Sequence, residues 1–151
     1  MFSTVRYFIK TSLIFLVLGL LTGLYMSYSK YVLLNGVHPE LISAHTHVIL
    51  VGSVMMMIMG VALWFFPRAE KEDKKYSPTL ILIVYWLMTT STAMRYIFQI
   101  LASINYISWV YYMVTVFSTL QVVSMILFFY SMWGRIRSVG SHLREAKGEK
   151  F

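Results

Sequence analysis

Four long apolar segments, separated by charged or turn-forming stretches, constrain this chain more than any other feature. They cover residues 7–28, 38–66, 78–103 and 106–133, and a helix needs about 20 apolar residues to cross the hydrocarbon core of a bilayer. Only 13% of the 151 residues are charged and 58% are hydrophobic, whereas soluble domains carry about 25% charged residues. The sequence therefore excludes a soluble domain, a disordered tail and a nucleic-acid-binding module. It predicts an all-α integral membrane protein whose transmembrane domain is formed by residues 1–133.

Basic residues are distributed unevenly around these segments. Lys and Arg cluster near the N-terminus (Arg6 and Lys10), in the second connection and in the tail at residues 134–151. Lys30 is the one basic residue of the other two connections. Because basic loops stay on the cytoplasmic side, we expect both termini and the basic tail in the cytoplasm. Short connections then predict an up-down-up-down four-helix bundle, which we expect in the cytoplasmic (inner) membrane of a prokaryote. The formal charge of +7 fits an anionic lipid surface, so no nucleic-acid partner is expected.

Local signals mark the second segment and limit the chemistry. Asn35-Gly36 predicts a turn before it, and His38-Pro39-Glu40 predicts a helix start, with His38 near the cap. The chain has no cysteine, which excludes disulfides, thiolate metal sites and covalent haem attachment.

Among the ionisable residues within the segments, three stand out: His45, His47 and Arg95. Such residues are costly in a bilayer and are therefore functional candidates. In the predicted topology His45 lies about 10 Å into the second segment, and Arg95 lies at a similar depth in the third. An imidazole that binds iron and a guanidinium that pairs with propionates together suit a haem. Gln99, one turn beyond Arg95, adds a further donor.

Helical geometry separates the two histidines. His45 and His47 are two residues apart, about 200° around a helix, so they cannot easily chelate one metal ion. Gly52 is seven residues from His45 and is expected on the same face. Its missing side chain leaves room for a porphyrin or for a closely packed helix.

Other interpretations of the same residues stay open. A membrane histidine often serves only as an interhelical hydrogen-bonding group, and Arg95 can extend towards the outer headgroups. The methionine-rich run at residues 55–59 is compatible with a copper-handling or transport role, although methionine is a common core residue.

The stretch His45-Thr46-His47 through Gly52 to Trp64-Phe65-Phe66-Pro67 resembles the second span of subunit I of the haem-copper oxidase superfamily. The cbb-type oxidases and nitric oxide reductases look most similar. The resemblance implies a haem b with His45 as an axial ligand, or His47 in a slightly shifted alignment.

The chain departs from that family in size and in its histidines. It has four segments and four histidines, too few for the catalytic haem-metal centre, so it is not expected to be a complete oxidase or nitric oxide reductase by itself. We expect a b-type cytochrome for electron transfer or gas binding, with a redox partner or quinol. The second axial ligand would come from another copy in a homodimer or larger homo-oligomer, or from a partner, unless that position is open. The alternative is a non-haem accessory or assembly subunit of a respiratory complex.

Overall fold

The computed structural model describes residues 2–66, 77–136 and 148, and all secondary structure within these ranges is helical. In chain order the elements are α1 (Phe2–Tyr31), α2 (Pro39–His47), a π-helix (Val48–Met55), α3 (Met56–Phe65), α4 (Pro78–Ile104), α5 (Ser108–Met132) and a short 3₁₀-helix (Trp133–Arg135).

Within the described ranges, four helices are long and apolar enough to cross a membrane. The second of them, Pro39–Phe65, is a continuous span built from α2, the π-helix and α3. The predicted all-α class with four candidate spans is confirmed within the described residues, and these apolar helices indicate an integral membrane protein. The second connection (67–76) and nearly all of the predicted tail lie outside the described residues.

The first connection differs from its prediction. Helix α1 continues to Tyr31, three residues beyond the predicted end of the segment. Leu34, rather than Gly36, has the left-handed backbone conformation, with φ 53°. The amide of Asn35 donates to the carbonyl of Ser29 at 3.0 Å, which satisfies one of the carbonyls that a helix end leaves without an intrahelical partner. The chain therefore turns at residues 32–34, just before the predicted Asn35-Gly36, and its left-handed position is a leucine.

The start of α2 follows the prediction. The backbone amide of Glu40 donates to Nδ1 of His38 at 3.2 Å, and Pro39 occupies the first turn. The His38 side chain thereby satisfies one of the amides that a helix start leaves without a partner.

The π-helix at Val48–Met55 was not predicted. Each π turn holds more residues than an α turn, so side chains beyond it are rotated relative to a regular α-helix. The glycine at position 52 lies inside this segment. Predictions of facing residues based on a 3.6-residue period therefore hold before Val48 but not across it.

Close packing joins α1, the second span and α4. Small residues let these helices approach: a Cβ on Gly60 would lie 3.0 Å from Cγ1 of Ile9. Met56, Met59 and Met88 are fully buried in the core. Two hydroxyl pairs add interhelical hydrogen bonds between α1 and α4: Thr11 with Tyr85 at 2.8 Å, and Thr22 with Tyr96 at 2.5 Å.

Helix α5 packs mainly against α4. Phe98 and Phe117 stack with their ring centroids 5.6 Å apart. The hydroxyl of Ser124 donates to the Val84 carbonyl at 3.0 Å. Because hydrophobic burial gives little advantage within lipid, such packing and hydrogen bonds hold the helices together.

Candidate functional site

His45 lies on the face of α2 that packs against α1. Its Nδ1 lies 2.9 Å from the backbone carbonyl oxygen of Gly19. A carbonyl only accepts, so Nδ1 carries the proton and Nε2 holds the lone pair. The Nε2 atom makes no hydrogen bond within the part of the chain that the structure describes. The imidazole is thus fixed at one nitrogen and open at the other.

Two glycines on α1 make room for this arrangement. The carbonyl of Gly19 is the acceptor, and the His45 ring lies over Gly23, where an added Cβ would be 2.8 Å from Cε1 of the imidazole. Gly19 and Gly23 are one helical turn apart and therefore share a face of α1. They were not identified from the sequence, although a small-xxx-small spacing is a known sign of close helix packing in membranes.

His47 faces the opposite direction and is occupied at both ring nitrogens. Its Nδ1 lies 2.8 Å from the carbonyl oxygen of Ser43, and its Nε2 lies 2.9 Å from Nη2 of Arg95 on α4. Nδ1 therefore donates to the carbonyl, and the Nε2 lone pair accepts from the guanidinium. The two histidines contact different helices, as their two-residue spacing requires.

Arg95, on α4, hydrogen-bonds to residues of both α2 and α5. Its Nη1 donates to Oε1 of Gln121 at 2.8 Å, and Nε2 of Gln121 donates to the Thr92 hydroxyl at 2.9 Å. The fully buried Gln121 was missed in the sequence, where a lone amide within an apolar segment was the available signal. Both terminal nitrogens of the guanidinium are thus used within the chain.

Gln99 extends the same set of contacts towards the start of α2. Its Nε2 donates to the hydroxyl of Ser43 at 2.7 Å and lies 3.5 Å from a carboxylate oxygen of Glu40. We call the connected set, formed by Glu40, Ser43, His47, Thr92, Arg95, Gln99 and Gln121, the polar network. It joins three helices, and it brings together three of the five predicted site residues: His47, Arg95 and Gln99.

Two buried atoms of the polar network have no hydrogen-bond partner among the described residues: Nε of Arg95 and Oε1 of Gln99. The first is a donor and the second an acceptor, and the two residues are one turn apart on α4.

Gly52 is surrounded by side chains. A Cβ there would lie 2.9 Å from Cγ of Phe15 and 2.9 Å from Cγ2 of Thr92. Of the two uses expected for this glycine, a porphyrin or a closely packed helix, the structure has closely packed helices.

The methionine-rich run contributes to packing. Met56 and Met59 belong to the buried core, and Met57 accepts a hydrogen bond from the Ser12 hydroxyl at 3.8 Å. Within the described ranges there is no group of three or more His, Cys, Asp or Glu residues arranged to hold a metal ion.

The residues predicted to bind a haem differ in whether their nitrogen atoms are free to do so. His45 has the form that an axial ligand needs, because metal-binding histidines usually donate their second ring N–H to a carbonyl or carboxylate. His47 does not offer a lone pair in this conformation, since Arg95 occupies it. Arg95 in turn has both terminal nitrogens engaged and contacts His47 rather than His45. The residues therefore fit a haem held at His45.

Comparisons with family models, with curated proteins and with solved structures found no match to this chain.

Proposed function

We propose that this chain is a membrane b-type haem protein in which Nε2 of His45 is an axial ligand to the iron. The observation that carries the proposal is the hydrogen bond between His45 Nδ1 and the Gly19 carbonyl, at 2.9 Å. It fixes the tautomer and the ring orientation, which are usual contributions of a second partner to a metal-bound histidine.

The protein's own residues would set the properties of the site. The haem, when bound, supplies one-electron chemistry or a position for a diatomic gas. His45 contributes ligation, and Gly23 keeps the space beside the imidazole clear. The apolar surroundings of the second span keep water away, which influences the reduction potential. A redox partner or a quinol would exchange the electron.

The number of available imidazoles supports a homo-oligomer. His38 uses Nδ1 as an acceptor at the cap of α2, so its other nitrogen carries the proton, and His47 accepts from Arg95. Among the histidines that the structure describes, His45 alone presents an unengaged lone pair. A haem with two histidine ligands would therefore take His45 from two copies, as a two-fold dimer provides. A partner chain, or an open position for a gas, are the other two possibilities.

The orientation in the membrane is also a proposal. The four spans would run up-down-up-down with both termini in the cytoplasm, because the basic residues cluster on one side of the predicted topology. The outer side would then hold the connection at residues 32–38 and the start of α2. In this arrangement His45 lies in the outer half of an inner membrane. Labelling of single cysteines from each side tests it.

The polar network favours a second candidate, a non-haem accessory or assembly subunit of a membrane respiratory complex. His47, Arg95 and Gln121 satisfy one another inside the chain. A structural role is thus sufficient to explain why these costly residues lie in the spans. Under this candidate His45 would serve only to hold α2 against α1.

Titration of the purified apoprotein with haem in a neutral detergent separates the two candidates. We expect saturable binding with a sharp Soret band, loss of that band in His45→Ala, and retention of it in His47→Ala. His47→Ala is the matched control because it removes an imidazole two residues away that already has partners on both nitrogens. Haem binding that survives His45→Ala, or that is lost only in His47→Ala, would sink the assignment of the ligand.

A further inference from the structure

His45 lines a pocket between the C-terminal end of α1, the connection at residues 32–38 and α2. Its volume is about 450 Å³. Gly23, Met26 and Ile42 form part of its wall, and Lys30 and Asn35 bring polar groups to it. Pockets of this size with an apolar wall and a few polar groups are typical of small-molecule sites.

Among the described residues that line this pocket, Lys30 alone carries a formal charge. It lies in the last turn of α1, and its ammonium group lies 5.3 Å from the centroid of the Tyr31 ring. No carboxylate of the described residues forms an ion pair with it. The pocket thus brings a cation and the imidazole of His45 to one cavity, whereas Arg95 is hydrogen-bonded to His47 and Gln121 on the other side of α2.

We propose that Lys30, rather than Arg95, is the cationic partner of a haem propionate, and that the pocket it shares with His45 receives the haem. This inference rests on the proposed function. An ammonium group at the end of a span lies near the headgroup region, where lysine side chains keep their charge in water while their stems stay apolar. Haem is an apolar ring with two carboxylates on one edge, so it matches a pocket with an apolar wall and a cation.

The arrangement makes a chemical prediction that separates ligation from charge pairing. Esterifying both propionates of haem removes their charge and leaves the iron and the ring unchanged. Lys30 should therefore matter for haem and not for haem dimethyl ester, whereas His45 should matter for both. A purely structural role of Lys30, such as stabilising the C-terminal end of α1 through the helix dipole, would change both affinities alike.

The experiment is a titration of detergent-purified apoprotein with haem and with haem dimethyl ester, followed by the Soret band. The variants are Lys30→Gln, Lys30→Arg, His45→Ala and the matched control Lys10→Gln, an exposed lysine elsewhere on α1. We expect Lys30→Gln to weaken haem binding about two- to fivefold, as for other partly exposed ion pairs, and to leave the ester unaffected. Lys30→Arg and Lys10→Gln should behave as the parent protein does. The midpoint potential of the bound haem should fall in Lys30→Gln, because loss of a nearby cation favours the oxidised iron.

The possible failures are distinguishable. Binding that depends on His45 but shows no difference between Lys30→Gln and Lys10→Gln would overturn the role of Lys30 and leave the proposed function intact. An equal loss for haem and for the ester in Lys30→Gln would also overturn it. A parent protein that binds neither ligand, or binding that survives His45→Ala, would overturn the proposed function and this inference together.

Discussion

Replacing Gly23 with alanine tests the contact that positions His45. The new Cβ would lie 2.8 Å from Cε1 of the imidazole, 0.6 Å short of the 3.4 Å at which ordinary contacts begin. Overpacking of this kind costs about 1–3 kcal/mol, while alanine gains about 1 kcal/mol over glycine in a helix. The free energy of unfolding of Gly23→Ala should therefore fall by about 0–2 kcal/mol. The ring must also move, which lengthens its hydrogen bond to Gly19.

A double-mutant cycle separates the contact from the helix preference. In a His45→Ala background the obstacle is gone, so Gly23→Ala should stabilise the protein by about 1 kcal/mol. The coupling energy between the two positions is then about 1–3 kcal/mol. Unfolding in mixed micelles, followed by far-ultraviolet circular dichroism, measures all four proteins. Equal effects of Gly23→Ala in both backgrounds would refute the close approach of the His45 ring to α1.

The remaining predictions concern the polar network and the orientation of the chain. Arg95→Met leaves acceptors on His47 and Gln121 without their donor and should lower the free energy of unfolding by about 1–3 kcal/mol. In the Arg95→Met background, Gln121→Leu should lower it little further. Full additivity of the two changes would contradict a shared network. A single cysteine at Val32 should react with an impermeant maleimide added outside intact spheroplasts, and one at Lys71 only after permeabilisation; the reverse pattern would contradict the proposed orientation.

Much of the fold was predictable because the bilayer imposes strong rules on a sequence. Long apolar runs predicted four spans, and the structure has four helices of sufficient length and hydropathy. The start of the second span was predicted in detail because a cap residue, an early proline and an acidic first turn each have a local physical cause. His38 indeed caps α2.

Other features depend on tertiary contacts and left weaker signals. The left-handed residue is Leu34, because the end of α1, rather than the nearest glycine, determines where the chain must reverse. The π-helix has no known sequence signature here, and it breaks the period used to place Gly52 relative to His45. Predictions of shared faces are therefore dependable only within a regular helix.

The sequence predicted which residues form the candidate site, but not which of them contact one another. The sequence indicated that His45, His47 and Arg95 lie at comparable depth, but it did not determine which histidine faces α4. In the structure Arg95 meets His47, and both nitrogens of that imidazole are occupied. His45 instead meets two glycines of α1, whose importance appears only when the helices are packed. The residue types show which side chains are costly to place in a membrane, whereas their hydrogen-bond partners depend on how each helix is rotated about its axis.

The most direct test of the central claim is the optical spectrum of the protein purified in detergent from cells supplied with haem. With His45 as an axial ligand the protein should be coloured and show a Soret band, and reduction with dithionite should sharpen the α and β bands if two axial ligands are present. The matching His45→Ala preparation should be colourless at equal yield. A parent protein without haem absorbance, or a His45→Ala variant with an unchanged spectrum, would contradict the account.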